Sequence, residues 1–231
     1  MNIEVALSPE LIHLYDVTDK TVVVVDILRA TSCMVTAFAH GVDSIMPFAD
    51  LEECRAMSKQ GYITSGERNG EKVEGFDKGN SPFEYMDLRG KKIAFTTTNG
   101  TQAIHKSTGA KEVVIGAFLN LSAVAKHVLD HQNNILVVCA GWKGRVNLED
   151  TLFAGALVEK IKTEVKIEDD SALMAQHAYV LAKADMLSFL KPASHIQRLH
   201  RLGIQEDIKY CLTEDKYTIV PRLKDKSLLV L

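Results

Sequence analysis

Cysteine is scarce in this 231-residue chain: four residues, Cys33, Cys54, Cys139 and Cys211, with no Cys-x-x-Cys pair. Thiols so scattered provide neither a disulfide framework nor a structural zinc site. No apolar run approaches the roughly 20 residues of a membrane span. The N-terminus, Met1-Asn2-Ile3-Glu4-Val5, lacks the basic region and apolar stretch of a secretory leader. A reduced cytoplasmic protein without a membrane partner is the expectation. Charge of one sign is also missing. The 27 Lys and Arg against 30 Asp and Glu leave a formal −3, so no global field draws nucleic acid. An anionic ligand would need locally placed arginine, lysine or metal.

Several enzyme signatures are absent too. There is no Gly-x-x-x-x-Gly-Lys-Thr, which excludes a P-loop nucleotidase, and no Gly-x-Ser-x-Gly hydrolase elbow. Asp26 is followed two residues later by Leu28, not by the second Asp of haloacid-dehalogenase-type phosphatases. The eight histidines show no metal-binding spacing; His127 and His131, four apart on an amphipathic helix, read as surface residues. No Pro- or Gly-rich linker divides the chain, so residues 1–231 read as one compact unit.

What the chain does contain is buried strands alternating with helical segments. Val22-Val23-Val24-Val25 is a β-branched run too continuous for a half-exposed strand. Ile135-Leu136-Val137-Val138 reads the same way. Ile93-Ala94-Phe95, Val113-Val114-Ile115 and Ile45-Met46 are shorter strands. Helices are predicted over 31–39, 50–59, 121–131 and 149–162, the last acidic at its start and basic at its end. The pattern predicts a three-layer α/β/α fold with a mostly parallel or mixed sheet. Residues 1–165 carry most motifs. Residues 166–231 read as a helix-rich section (172–183, 194–201, 204–212) that returns to the sheet near Tyr217–Val220.

Three strand-to-helix loops share one plan, and in open parallel sheets such loops converge on a ligand crevice. The first runs Asp26-Ile27-Leu28-Arg29-Ala30-Thr31-Ser32. A carboxylate straight after four valines is costly unless it is paired, hydrogen-bonded or metal-bound. A salt bridge to Arg29 is the structural explanation; Arg29 equally offers the planar fork that suits phosphate. The second runs Thr96-Thr97-Thr98-Asn99-Gly100-Thr101, hydroxyls and amides suited either to capping a helix or to holding an anion at its start. The third, Cys139-Ala140-Gly141-Trp142-Lys143-Gly144-Arg145, spaces Cys and Arg as cysteine-dependent phosphatases do. Val138 and Val146 stand where those enzymes have His and Ser or Thr, so Cys139 reads as a small core residue. Glu149-Asp150 then opens a helix; adjacent helix positions do not share a face, so one of the two is expected at the site. A carboxylate here with Asp26 suits Mg²⁺. Between these loops, Gly66 to Pro82 reads as one long loop. It carries Glu67, Arg68 and Asp77, and Asn80-Ser81-Pro82 resembles a helix start with proline at its first position.

Taken in order, these segments resemble the 2-phosphosulfolactate phosphatase family of coenzyme M biosynthesis. The resemblance rests on Val25 to Ser32, Gly66-Glu67-Arg68, Gly75 to Pro82, Thr96 to Thr101, Gly116-Ala117-Phe118-Leu119-Asn120, and Cys139-Ala140-Gly141 through Glu149-Asp150. It resumes faintly at Ser194-His195, at Asp207 to Cys211 and at Val220-Pro221. It implies a Mg²⁺-dependent hydrolase acting on a small anionic phosphate ester, 2-phospho-3-sulfolactate or another 2-hydroxy-acid phosphate. From the chemistry of the loops, Asp26, Glu149 and Asp150 are the expected catalytic carboxylates, and Asp26, Glu67 and Asp150 the expected metal ligands. Arg29, Thr31, Arg68, Asn80, Ser81, Thr97, Thr98, Asn99, Gly100, Thr101 and Arg145 are expected to bind phosphate or substrate. A homodimer is compatible with the reading. A cysteine-dependent phosphatase using Cys139 and Arg145, and an anion-binding protein without turnover, are the alternatives.

Overall fold

β-branched side chains favour extended backbone and pack well on a pleated surface. In the computed structural model, which describes residues 1–230, the valine run lies in a strand at Lys20–Val25, with Val22 to Val25 fully buried. Each such valine contributes about 1.5–3 kcal/mol when taken from water. That anchors the residue that follows, Asp26.

In chain order the elements are β1 (Asn2–Ala6), β2 (Lys20–Val25), α1 (Ala30–Ala39), β3 (Ser44–Pro47), α2 (Leu51–Ala56), β4 (Ile63–Arg68) and β5 (Glu71–Lys72). There follow β6 (Lys92–Thr96), α3 (Gly100–Lys106), β7 (Glu112–Gly116), α4 (Leu121–His131), β8 (Asn134–Cys139) and α5 (Leu148–Ile161). The last part holds β9 (Lys166–Ile167), α6 (Asp170–Ala182), α7 (Met186–Leu190), α8 (Ser194–Arg201), α9 (Gln205–Cys211), β10 (Arg222–Lys224) and β11 (Ser227–Leu229).

The strands form one mixed, mostly parallel sheet in the order β5-β4-β6-β3-β11-β10-β7-β2-β8-β1-β9. It has two parallel blocks. In one, β4 and β3 flank β6; in the other, β7, β2, β8, β1 and β9 run side by side. The antiparallel hairpin β10–β11 lies between them, pairing with β7 on one side and β3 on the other. Helices α1 and α3 pack together, with α1 against β7 and α3 against β2; α4, α5 and α6 form a second group against β7, β8 and β1. This is the three-layer α/β arrangement the alternating pattern predicts.

Two expectations change. The returning strand is not Tyr217–Val220 but the hairpin at 222–229. Residues 217–221 are tied singly: Tyr217 N–H donates to the Leu119 carbonyl at 2.8 Å, and the Pro221 carbonyl accepts from Ile115 N–H at 2.9 Å. Pro221 has no N–H to give, and the ladder starts after it. The 66–82 loop is shorter than its composition suggests, because Gly66–Arg68 belong to β4 and form a small hairpin with β5. Strand β4 carries the polar run Thr64-Ser65-Gly66-Glu67, buried without an apolar signature. Its following loop is pinned by Val73 and Phe76 in a small cluster with Cys54, Met57 and Ala94. Strand β1, between β8 and β9, lies in a segment for which no strand was expected.

Candidate active site

Asp26 leaves β2 into a turn closed by its own neighbours. Its N–H donates to Thr31 Oγ1 at 3.0 Å, and the Thr31 hydroxyl donates back to the Asp26 carbonyl at 2.9 Å. The Ser32 hydroxyl donates to the Ile27 carbonyl at 2.8 Å. Thr31 therefore shapes the loop and is fully buried beneath the cleft. The Asp26 carboxylate accepts a long bond from Ala30 N–H at 3.4 Å. A Cβ on Gly100 would stand 2.8 Å from Asp26 Oδ2 and 2.8 Å from the Ala30 Cβ, so the start of α3 reaches Asp26 only because residue 100 is glycine. Burial, with the nearby charges of Glu67 and Glu149, pushes the Asp26 carboxyl up to about 7, against the pull of His195 and of Ala30 N–H. The expected Asp26–Arg29 pair does not form; Arg29 pairs with Asp207 of α9 instead.

Asp150 is a brace. One of its oxygens accepts from Ile27 N–H at 2.8 Å and the other from Gly141 N–H at 3.0 Å, joining the first and third loops. Gly141 has φ +56°, and a Cβ there would lie 2.3 Å from the Arg145 carbonyl oxygen. Burial and the adjacent carboxylates of Glu149 and Asp26 raise the Asp150 carboxyl well above its ordinary range. Glu149 is buried as well, because the helix begins at Leu148 and both acids lie in its first turn. Glu149 Oε1 holds His195 Nδ1, while Oε2 is buried without a partner. A carboxylate on Nδ1 fixes the tautomer and orientation of the ring.

Glu67 joins the second loop to the β4–β5 turn. Its carboxylate accepts from Thr98 N–H at 3.0 Å and from Gly70 N–H at 2.7 Å. The Thr101 hydroxyl donates to the Thr97 carbonyl at 3.0 Å. Asn99 is not a side-chain cap; its Oδ1 accepts from Lys143 N–H at 3.1 Å, tying the second loop to the third. Asn80 Oδ1 is buried and unpartnered. Arg68 turns to the Glu67 carbonyl and the Thr96 hydroxyl. Ser81 starts a 3₁₀ turn with Pro82 at its first position and makes no side-chain capping bond.

The remaining wall comes from the C-terminal section. Arg29 reaches between Asp207 and the Gly70 carbonyl, the latter at 3.3 Å. Arg198 of α8 lies over the Trp142 ring, its guanidinium carbon 4.1 Å from the centroid. Its Nε is buried without a partner, and burial lowers its pKa. His195, Arg198 and Leu199 fall on one face of α8 by their spacing of three and four. His195, Arg198 and Asp207 were outside the sequence-derived site; the faint resemblance touched His195 and Asp207, and Arg198 carried no signal. Strand-end logic could not reach them, since they sit inside short helices.

One cleft is thus lined by Asp26, Leu28, Arg29, Glu67, Gly70, Asn80, Asn99, Gly141, Trp142, His195, Arg198 and Leu199. The three loops do meet. Of the expected residues, Asp26, Arg29, Glu67, Asn80 and Asn99 line the space. Thr31, Thr97, Thr98, Gly100, Thr101, Glu149 and Asp150 stand behind it; Arg68 and Ser81 stand beside it. Arg145 is exposed and contributes its backbone to a bridge with Trp142. Cys139 is fully buried beside Val25, and burial with the charges of Asp150 and Glu149 drives its thiol well above the ordinary range. That is the opposite of an activated nucleophile. Free volume in the cleft is about 20 Å³, roughly one water.

The oxygen donors lining the cleft, the carboxylates of Asp26 and Glu67 and the amide of Asn80, are of the kind that suits Mg²⁺ with waters retained, beside the imidazole of His195. Glu67 and Asp150 each carry an N–H on both oxygens, but Glu67 lines the cleft and Asp150 does not; among the described residues Asp26, Glu67 and Asp150 do not gather as three mutual ligands.

Sequence comparison decides the family. The sequence model of 2-phosphosulpholactate phosphatase matches residues 6–226. The chain belongs to that family. A probable 2-phosphosulfolactate phosphatase of Caldanaerobacter subterraneus subsp. tengcongensis is 42% identical over 219 residues, covering 91% of this chain and 90% of that protein. One from Thermotoga maritima is 43% identical over 206 residues, 88% and 89% of the two chains. One from Clostridium tetani is 35% identical over 231 residues, 97% and 98%. The 2-phosphosulpholactate phosphatases are phosphoric monoester hydrolases, and the family match takes in all three loops and α8 alike.

Proposed function

We propose that this protein is a Mg²⁺-dependent phosphatase that hydrolyses 2-phospho-3-sulfolactate, or a closely related 2-hydroxy-acid phosphate, to the hydroxy acid and inorganic phosphate. The observation that carries the reading is Asp26: a carboxylate with a pKa of about 7, at the end of the interior strand β2, facing Glu67, His195 and two arginines across one cleft. The names of the relatives support the substrate class.

Charge balance supports the cation. The lining offers Asp26 and Glu67 against Arg29 and Arg198, and Arg29 is already committed to Asp207. A phosphate dianion beside a carboxylate and a sulfonate brings more negative charge than these groups offset. Asp26 and Glu67 would hold Mg²⁺, with Asn80 Oδ1 as a neutral donor; when bound it supplies positive charge against the phosphoryl oxygens. Arg198, seated over the Trp142 ring, presents a second fixed charge to the substrate's anionic groups. Breaking the ester bond leaves an alkoxide, a poor leaving group at neutral pH unless protonated. His195, oriented by Glu149, is the group placed to give that proton. Little bonding to the attacking water is needed in a loose phosphoryl-transfer transition state, so its proton can leave late with the phosphate.

The test is phosphate release from 2-phosphosulfolactate, phospholactate and 2-phosphoglycolate, with Mg²⁺ and with EDTA. Turnover of at least one of them that EDTA abolishes and Mg²⁺ restores is expected. No release from any of the three, or release indifferent to EDTA, overturns the reading.

A further inference from the structure

We infer that Glu112, His127 and His131 form a separate site for one divalent transition metal of the Zn²⁺ class. Glu112 opens β7, and the two histidines lie on the last turns of α4. One ligand atom from each residue lies within 4.8 Å of the other two, and among the described residues no other three His, Cys, Asp or Glu do this. Two ligands on one tetrahedral Zn²⁺ sit about 3.4 Å apart, from bonds of roughly 2.0–2.1 Å. Here Glu112 Oε2 and His127 Nε2 are 3.0 Å apart, and the two imidazoles lie 4.0 Å between centroids at 30°.

The surroundings prepare the ligands. His131 Nδ1 lies 2.8 Å from the His127 carbonyl. A carbonyl only accepts, so Nδ1 carries the proton and Nε2 keeps its lone pair. Metal-bound histidines are oriented by such a bond on the other ring nitrogen. Glu112 is half-buried and steadied by the Thr21 hydroxyl at 3.4 Å and Arg222 at 3.6 Å. His127 Nε2 donates to Glu112, and a metal would take the place of that one proton. His127 and His131 also line an open groove of about 590 Å³ with Lys126, Tyr217 and Arg222, so the remaining coordination positions face solvent.

The donor set separates this site from the cleft. Two imidazoles and one carboxylate suit Zn²⁺, Co²⁺, Ni²⁺ or Cu²⁺, whereas Mg²⁺ prefers oxygen alone. Position separates them too. Glu112 pairs with Thr21 at the amino end of the parallel block, and Asp26 follows Val25 at its carboxyl end. A bound ion would join the end of α4 to the amino end of the interior strand β7, a full strand length from Asp26.

The test titrates the full chain with Co²⁺ in saturating Mg²⁺, read by visible absorption, then with Zn²⁺ by calorimetry. One Co²⁺ per chain with low-coordinate bands, displaced by Zn²⁺, is expected. His131→Ala, at an exposed position, should weaken binding at least about tenfold, the loss that even outer-shell changes cause. It should leave Mg²⁺-dependent phosphate release unchanged. Binding that is undetectable in the wild type, equal in the wild type and His131→Ala, or lost in Asp26→Asn but not in His131→Ala overturns the inference. The readout is metal affinity, so it stands whether or not the phosphatase reading does.

Discussion

The two parts of the chain divide the chemistry unequally. Residues up to 165 bring the acids, Asp26 and Glu67 on the cleft and Glu149 and Asp150 behind it, each at a strand end or a helix start. The residues after 165 bring His195, Arg198 and Asp207, on the short helices α8 and α9. The acids are fixed through backbone: Glu67 and Asp150 each take two N–H groups from neighbouring loops. The C-terminal groups are fixed through side chains, by Glu149 on His195, Trp142 under Arg198 and Arg29 on Asp207. The first part therefore builds a receptacle whose shape survives changes elsewhere. On the proposed mechanism the second supplies the proton donor and the cation over Trp142, each held by a single side-chain contact.

The comparison predicts equal penalties from opposite sides of the cleft. Asp26→Asn and His195→Gln should each lower phosphate release by about 10²–10⁴-fold with the fold intact by circular dichroism. Wild-type rates in His195→Gln would confine the chemistry to the first part and break the division.

The next effect is on stability. Asp207→Ala leaves Arg29 buried and unpaired, which should cost about 3–5 kcal/mol. Urea unfolding at an unchanged slope measures it. A loss under 1 kcal/mol would mean that the C-terminal helices are not held through this pair.

Asp26 gives a pH test with a definite sign. Its folded pKa, about 7, lies above its ordinary 3.8. Between those values the folded chain keeps a proton that the unfolded chain has lost. Wild-type stability therefore falls as pH rises through this window. In metal-free solution, the melting temperature of Asp26→Asn should gain on the wild type between pH 5 and pH 8, by about 2–4 °C for each kcal/mol relieved. Parallel curves for the two proteins would show that Asp26 is not strained by burial.

The smallest effects fall on the third loop's surface and on its thiol. Arg145→Ala should change stability by no more than about 0.5 kcal/mol and leave kcat/KM unchanged. Cys139→Ser should fold and keep much of its turnover. A phosphoenzyme trapped on Cys139, or an inactive Arg145→Ala, would return the chemistry to the cysteine alternative.

Much of the first part was legible because burial leaves a mark. Four successive valines predicted a covered strand, and that holds; the acid after them takes only the long bond from Ala30 N–H in place of the expected pair. The partner of Arg29 was not legible. Arg29 was the nearest cation in sequence, yet Asp207 reaches it from 178 residues away. Strand β4 was hidden because its buried residues are hydroxyls, glycine and glutamate, satisfied by hydrogen bonds to Asp77 and Tyr85 instead of by packing. Glu149 and Asp150 were expected to face different ways. Both are buried because the first turn of a helix has sheet loops on one side and α8 on the other. His195 and Arg198 carry a helical spacing common to any half-buried helix, so position alone distinguishes them.

The β10–β11 hairpin has a consequence for biosynthesis. Every other strand of the sheet emerges from the ribosome before it, yet it occupies the seam between the two parallel blocks. Until residue 229 clears the exit tunnel, β3 and β7 each present an unpaired edge, and such edges invite pairing with other chains. The sheet is therefore sealed only once this hairpin has been made. A nascent or truncated chain would carry two open templates for aggregation, even with all three loops of the cleft already made.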